Sequence, residues 1–173
     1  MASPSTLNPD RSTLQRGFTI IEILIAIAIL VVILGLGLFV AFDFYKSYAF
    51  RAEENIITSV LQKARNQSLS NISQVRHGVR FADSPMRYIL FECPTGIPQC
   101  TSYTASSTDN IINASYGISI THPSLPFDVI FDQLSGDCIT STTFNCSSDN
   151  PVTVSDGSKS YDITINSEGR IDW

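Results

Sequence analysis

One carboxylate, Glu22, stands at the start of an apolar run, residues 23–42, that carries no charge over 20 positions. In a helix those residues span about 30 Å, the thickness of a bilayer's hydrocarbon core. An ionised acid inside a membrane helix costs about 3 kcal/mol, so such a group is generally held there by a partner. Four cysteines, Cys93, Cys100, Cys138 and Cys146, form C-x6-C and C-x7-C pairs. That spacing fits two short disulfide loops, although four cysteines allow three connectivities. Zinc ligation is the competing chemistry, and both spacings exceed the usual short C-x2–4-C. Asp132, Ser135 and Asp137 offer hard oxygens to calcium on one loop, without the EF-hand pattern, and a solvated acidic loop is the plainer reading. His77, opening a strand, and His122, before Pro123, read as surface or loop residues. A nucleophile elbow, a phosphate-binding glycine loop and H-E-x-x-H are all absent from the sequence. No enzyme chemistry, cofactor or metal is expected.

The elements that position these groups follow from periodicity. Beyond the apolar run, Tyr45, Ala49, Ala52, Ile56, Val60 and Ala64 recur at three-and-four spacing, with Arg51, Glu53, Glu54, Lys63 and Arg65 mainly opposite. One unbroken helix over 18–70 is expected, transmembrane at about 20–42 and amphipathic beyond. Gly35 and Gly37 weaken it by about 1 kcal/mol each relative to alanine, as a yielding point or as small residues at a helix contact. From Ser70 the pattern becomes alternation. Residues 77–82 and 87–92 read as a hairpin around Asp83-Ser84-Pro85, and 93–115 as a long loop. Residues 116–121 and 127–132 read as further strands, and 135–150 as a second polar loop. A hairpin of 152–154 and 161–166 turns at Asp156-Gly157, and Ser167-Glu168-Gly169 leads into 170–173. One helix followed by about seven strands predicts an α+β fold, with the helix packed on an antiparallel β-rich head over 71–173.

Acids outnumber bases 16 to 11, giving a net charge of −5. That argues against broad nucleic-acid affinity, which needs clustered cations. The charge is uneven: Lys63, Arg65, Arg76, Arg80 and Arg87 come early, whereas Asp128, Asp132, Asp137, Asp149, Asp156, Asp162, Glu168 and Asp172 come late. This reads as two solvated faces or as complementary patches between subunits or with a partner protein. Arg11 and Arg16 precede the apolar run, while Asp43 and Lys46 cancel after it. The positive-inside rule then puts the N-terminus in the cytoplasm and everything beyond residue 43 outside. The cysteines all fall on the exported side, where disulfides persist.

Arg16-Gly17-Phe18-Thr19-Ile20-Ile21-Glu22 before an apolar helix resembles the N-terminus of type IV pilins and of the pseudopilins of type II secretion, whose precursors read G-F-T-x-x-E. The resemblance implies cleavage after Gly17 by a prepilin peptidase, which makes 1–17 a leader, and N-methylation of Phe18. It also implies that Glu22 of an incoming subunit pairs with the Phe18 amine of a neighbour in the filament. An α-amine titrates near 8 and is largely cationic at neutral pH. Two charges about 4 Å apart attract by about 4 kcal/mol at an effective dielectric near 20. Desolvation offsets most of that, so the pair sets register more than it adds stability. A cleaved secretory signal has a shorter apolar region of about 7–15 residues, and a plain signal anchor leaves Gly17, Phe18 and Glu22 unexplained. Many members of the family carry a proline near position 39; here Gly35 and Gly37 would serve as the extensible point.

Within that superfamily the head resembles the GspH/FimT branch of minor pseudopilins and minor pilins. Ala64-Arg65-Asn66-Gln67-Ser68, the strand and turn at 127–136, and 164–171 with its Asn166-x-x-Gly169-Arg170 ending carry the likeness. The implied protein is a bacterial inner-membrane prepilin, N-terminus cytoplasmic and head exported. Working with an inner-membrane assembly platform, it would join other pilin or pseudopilin subunits in a pilus or pseudopilus, as a minor more than a major component. The alternative is a head that captures DNA or a surface ligand. Some minor pilins of the branch bind DNA through basic residues near the C-terminus, where this chain has Arg170 flanked by Glu168 and Asp172.

Overall fold

The computed structural model describes residues 17–94, 100–115, 117–122, 125–146 and 150–173, and at Asp43 the backbone alone. The expected leader except for Gly17, with Arg11 and Arg16, lies outside the described residues, as do 95–99, Tyr116 and 147–149 of the expected loops and strand. A helix of 50 residues, α1 (Ile20–Leu69), precedes nine strands among the described residues. These are β1 (His77–Ala82), β2 (Arg87–Glu92), β3 (Asn110–Asn113), β4 (Ser119–Thr121), β5 (Phe127–Phe131), β6 (Cys138–Ile139), β7 (Val152–Ser155), β8 (Ser160–Ile165) and β9 (Ile171–Asp172). They form two antiparallel sheets, ordered β3-β2-β1-β5-β6 and β4-β7-β8-β9. This is the α+β, helix-then-antiparallel-sheet architecture that the sequence predicts.

Backbone packing divides the chain into two compact units, with the boundary between Phe44 and Tyr45. In the first, every residue from 17 to 42 is exposed, so this length of apolar side chains has no core of its own. Gly35 and Gly37 stay helical, and a Cβ at either would meet nothing within 4 Å.

The second unit has one main core. Its helical share is Phe50, Ile57, Val60, Leu61 and Ala64, at three-and-four spacing. They pack with Val79, Phe81, Tyr88, Leu90, Phe127, Val129 and Phe131 of one sheet and Val152, Val154, Ile163 and Ile165 of the other. Each fully buried Leu, Ile or Phe side chain contributes about 1.5–3 kcal/mol. Phe81 stacks on Phe127 at 4.6 Å between ring centres, as the β1–β5 register places the two directly opposite. The inward face of α1 differs from expectation at two positions. Tyr45 is exposed, and Glu53 is fully buried within the stripe.

Alternation puts Phe91 and Ile130 on the other face of the five-stranded sheet, against Tyr103 and the Cys93–Cys100 bridge. Gly78 pairs with Phe91 across the ladder, and a Cβ there would lie 2.7 Å from both Phe91 Cζ and Val129 O. The ring covers this spot because glycine leaves it empty.

Two strands correct the expected loops. β3 lies within 93–115 and pairs with β2, and β6 lies within 135–150 and pairs with β5. Both are short edge strands, and β3 is mostly exposed, so neither carries the apolar alternation that marks a strand. The expected 116–121 strand is shortened to β4.

Candidate functional site

Among the described residues nothing requires a glycine at position 17, where an added Cβ would meet no atom within 4 Å. Phe18 beside it is among the most exposed large apolar residues. The hydroxyl of Thr19 accepts the Glu22 N–H at 3.3 Å, and the Thr19 carbonyl accepts the Ile23 N–H at 3.2 Å. Thr19 thus caps the free N–H groups of the first turn, in the Thr-x-x-Glu spacing of a capping box. Sequence reasoning about Glu22 alone missed this cap, although the spacing signals it. The bond uses the Glu22 backbone, and among the described residues its carboxylate has no hydrogen-bond or ion-pair partner. An exposed acid in a first turn gains from the positive end of the helix dipole. It remains able to accept a cation from outside the chain.

At the other end of α1, three segments distant in sequence meet. Arg65 donates through Nε to the Gly136 carbonyl at 3.2 Å and through Nη2 to the Glu168 carbonyl at 3.1 Å. The buried Ser68 hydroxyl donates to the Phe131 carbonyl and accepts the His77 N–H, while its carbonyl accepts the Leu134 N–H. Gly169 has φ of +71°, and a Cβ there would fall 2.0 Å from the Gly136 oxygen. The helix stops just beyond, where Asn71 takes a left-handed conformation. These contacts join 64–68, 127–136 and 164–171 into one junction that fixes the helix to both sheets.

The remaining sequence-singled residues are dispersed. Disulfides join Cys93 to Cys100 and Cys138 to Cys146, the local pairing among three possible connectivities. Arg170 pairs with Asp172 at 2.9 Å, so part of its charge is met within the chain. Asp132 accepts the Arg76 guanidinium at 2.7 Å and the Gln133 N–H, while Asp137 is exposed. Among the described residues no three His, Cys, Asp or Glu side chains gather as metal ligands. Arg80 and Asp128, directly opposed across β1 and β5, pair at 3.1 Å with Asp128 buried. The early cations and late acids are therefore, at these four residues, pairs within one head and not two solvated faces.

His77 corrects the surface reading, for it is fully buried with neither ring nitrogen hydrogen-bonded. Burial holds its imidazole below the usual histidine range, against a smaller opposing pull from Glu92, whose carboxylate lies 3.5 Å away. The contact is thus that of a neutral ring beside a carboxylate. His122 sits in a loop, its ring 4.3 Å from that of Phe127.

Glu53, expected opposite the apolar stripe, is instead fully buried. Its carboxylate accepts the Tyr88 hydroxyl at 2.6 Å and the Ser115 N–H at 3.1 Å inside the core. Burial first, and then this carboxylate, push the Tyr88 phenol above its ordinary range, so it donates as a neutral hydroxyl. No periodicity separates such an acid from a solvated one, because its donors lie 35 and 62 residues away.

Residues 13–38 match the model of the prokaryotic N-terminal methylation motif. The match covers Gly17, Phe18 and Glu22 and the apolar run as far as Leu38, and none of the head. No curated protein and no solved structure matches the chain. The motif supports a class III signal of the type IV pilin-like and pseudopilin kind, and among the described residues one helix, the one that follows it, is long and apolar enough to fit a membrane anchor.

Proposed function

We propose that this chain is a structural, non-catalytic subunit of a type IV pilus or type II secretion pseudopilus, made as a bacterial inner-membrane prepilin. Prepilin peptidase removes residues 1–17, and the Phe18 amine is methylated. Residues 18–70 then form the polymerising helix and 71–173 the exported head. The N-terminus starts in the cytoplasm. An inner-membrane assembly platform brings the subunit to other pilins or pseudopilins, where Glu22 takes the Phe18 amine of a neighbour. The head is that of a minor subunit of the GspH/FimT branch. The junction of 64–68, 127–136 and 164–171 supports this reading, since the segments that carried the likeness also share a structural task.

The observation that carries the proposal is Glu22: an acid with no partner among the described residues, capped into the first turn of an exposed apolar helix, within a matched methylation motif. A DNA-binding head is less favoured, as Arg170 is engaged by Asp172 and the chain is acidic. The test is mass spectrometry of the mature N-terminus in cells with the cognate peptidase. Wild type should begin with methylated Phe18, and Gly17→Ala should accumulate full-length precursor. Normal processing of Gly17→Ala would remove the reading's main support.

A further inference from the structure

The exposed side of α1 near its C-terminal end forms a groove with no acid in its lining. Two adjoining clefts, of about 320 and 240 Å³, share Gln62 and Asn66, one helical turn apart. Lys63 lines the first, and Arg65, Arg170 and Ile171 complete the second. This cationic, amide-rich surface belongs to a chain of net charge −5. Lys63 has no ion-pair or hydrogen-bond partner among the described residues. Arg65 is held by two carbonyls, which orient the guanidinium and leave its unit charge uncompensated. Its rotamer freedom is already lost in the free protein, so binding an anion there orders less of the side chain. Arg170 contributes less, because Asp172 meets it from outside the cleft lining.

We propose that this groove docks an acidic, extended segment of a partner polypeptide. Carboxylates would pair with Lys63 and Arg65, and the Gln62 and Asn66 amides, each both donor and acceptor, would bond its backbone. A nucleic acid fits less well. No aromatic side chain lines the groove to stack a base. That the segment comes from an adjoining subunit rests on the filament reading; the binding itself does not.

The test uses the full-length protein in detergent micelles, titrated by fluorescence anisotropy with a labelled peptide of alternating aspartate and glycine. Saturable, salt-sensitive binding is expected, with a lysine–glycine peptide as the control that should not bind. Lys63→Gln should weaken binding about five-fold and Arg170→Gln about two-fold, with Lys46→Gln, outside the groove, unchanged. Thermal melts establish that each variant is folded. Absence of saturable binding, indifference to Lys63→Gln, or tighter binding of an oligothymidylate would each overturn the proposal. Failed peptide binding alongside normal processing after Gly17 would sink the groove alone. Failed processing with peptide binding intact would sink the filament reading alone.

Discussion

From residue 17 to residue 42 every side chain is exposed, although most are Ile, Leu, Val or Phe. From Phe50 to Ser68, in the same helix, a stripe of side chains is buried and every sheet contributes to the core around it. The first region is stable only in surroundings the chain does not supply, such as lipid or other helices. The second buries its own apolar stripe and pairs Arg76 with Asp132 and Arg80 with Asp128. Each region also has one glutamate that shows the difference. Glu53 is buried and given two donors by its own chain, while Glu22 is exposed and its carboxylate has no donor among the described residues. A group left unsatisfied where its surroundings are apolar is where a partner's chemistry is to be sought.

The widest separation between the regions should come from truncating an apolar side chain in each. Phe127→Ala empties a position shared by Phe81, His122 and Phe144, and should cost the head about 3–5 kcal/mol in denaturant or thermal unfolding. Ile27→Ala should move the same transition by less than about 0.5 kcal/mol, since Ile27 is exposed in the other unit. Equal effects would break the division into two independent regions.

The two glutamates sharpen it further. Glu53→Ala strands the Tyr88 hydroxyl and the Ser115 N–H and should destabilise the head by about 1–3 kcal/mol, read by loss of melting temperature. Glu22→Ala should leave both melting and leader cleavage unchanged. On the proposed reading it should lower incorporation into filaments about ten-fold, as quantified by immunoblot of sheared filaments, the scale of a charge pair largely offset by desolvation. Unaltered incorporation would remove the Glu22–Phe18 pairing.

Legibility in the sequence follows the same division. The apolar run, the helix and the hairpins β1–β2 and β7–β8 rest on neighbours close in sequence, and their patterns could be read directly. What was missed is held by distant partners. β3 and β6 exist because β2 and β5 offer them ladders, not because their own residues alternate. Glu53 was placed on the solvent side since a charge in a helix normally marks that side, and its donors come from β2 and the segment after β3. At the N-terminus, by contrast, the candidate site is contiguous and was fully visible apart from the Thr19 cap.

His77 offers the subtlest test, because it asks whether the head's self-sufficiency extends to its one buried imidazole. Burial favours the neutral ring, with Glu92 on β2 pulling the other way but more weakly. The unfolded chain, with an ordinary pKa near 6.5, therefore binds more protons than the folded one once the pH drops below that value. Stability must then rise with pH across this window and fall on acidification, beginning near 6.5 and before the carboxylates titrate near 4. His77→Phe removes no ring hydrogen bond, as neither nitrogen makes one, and should flatten the melting temperature over that interval. Melts of the full chain in detergent at a series of pH values would decide it. A wild type as stable at about pH 5 as at about pH 7 would mean that Glu92 charges the ring in the fold, and that this residue is an ion pair in its own right.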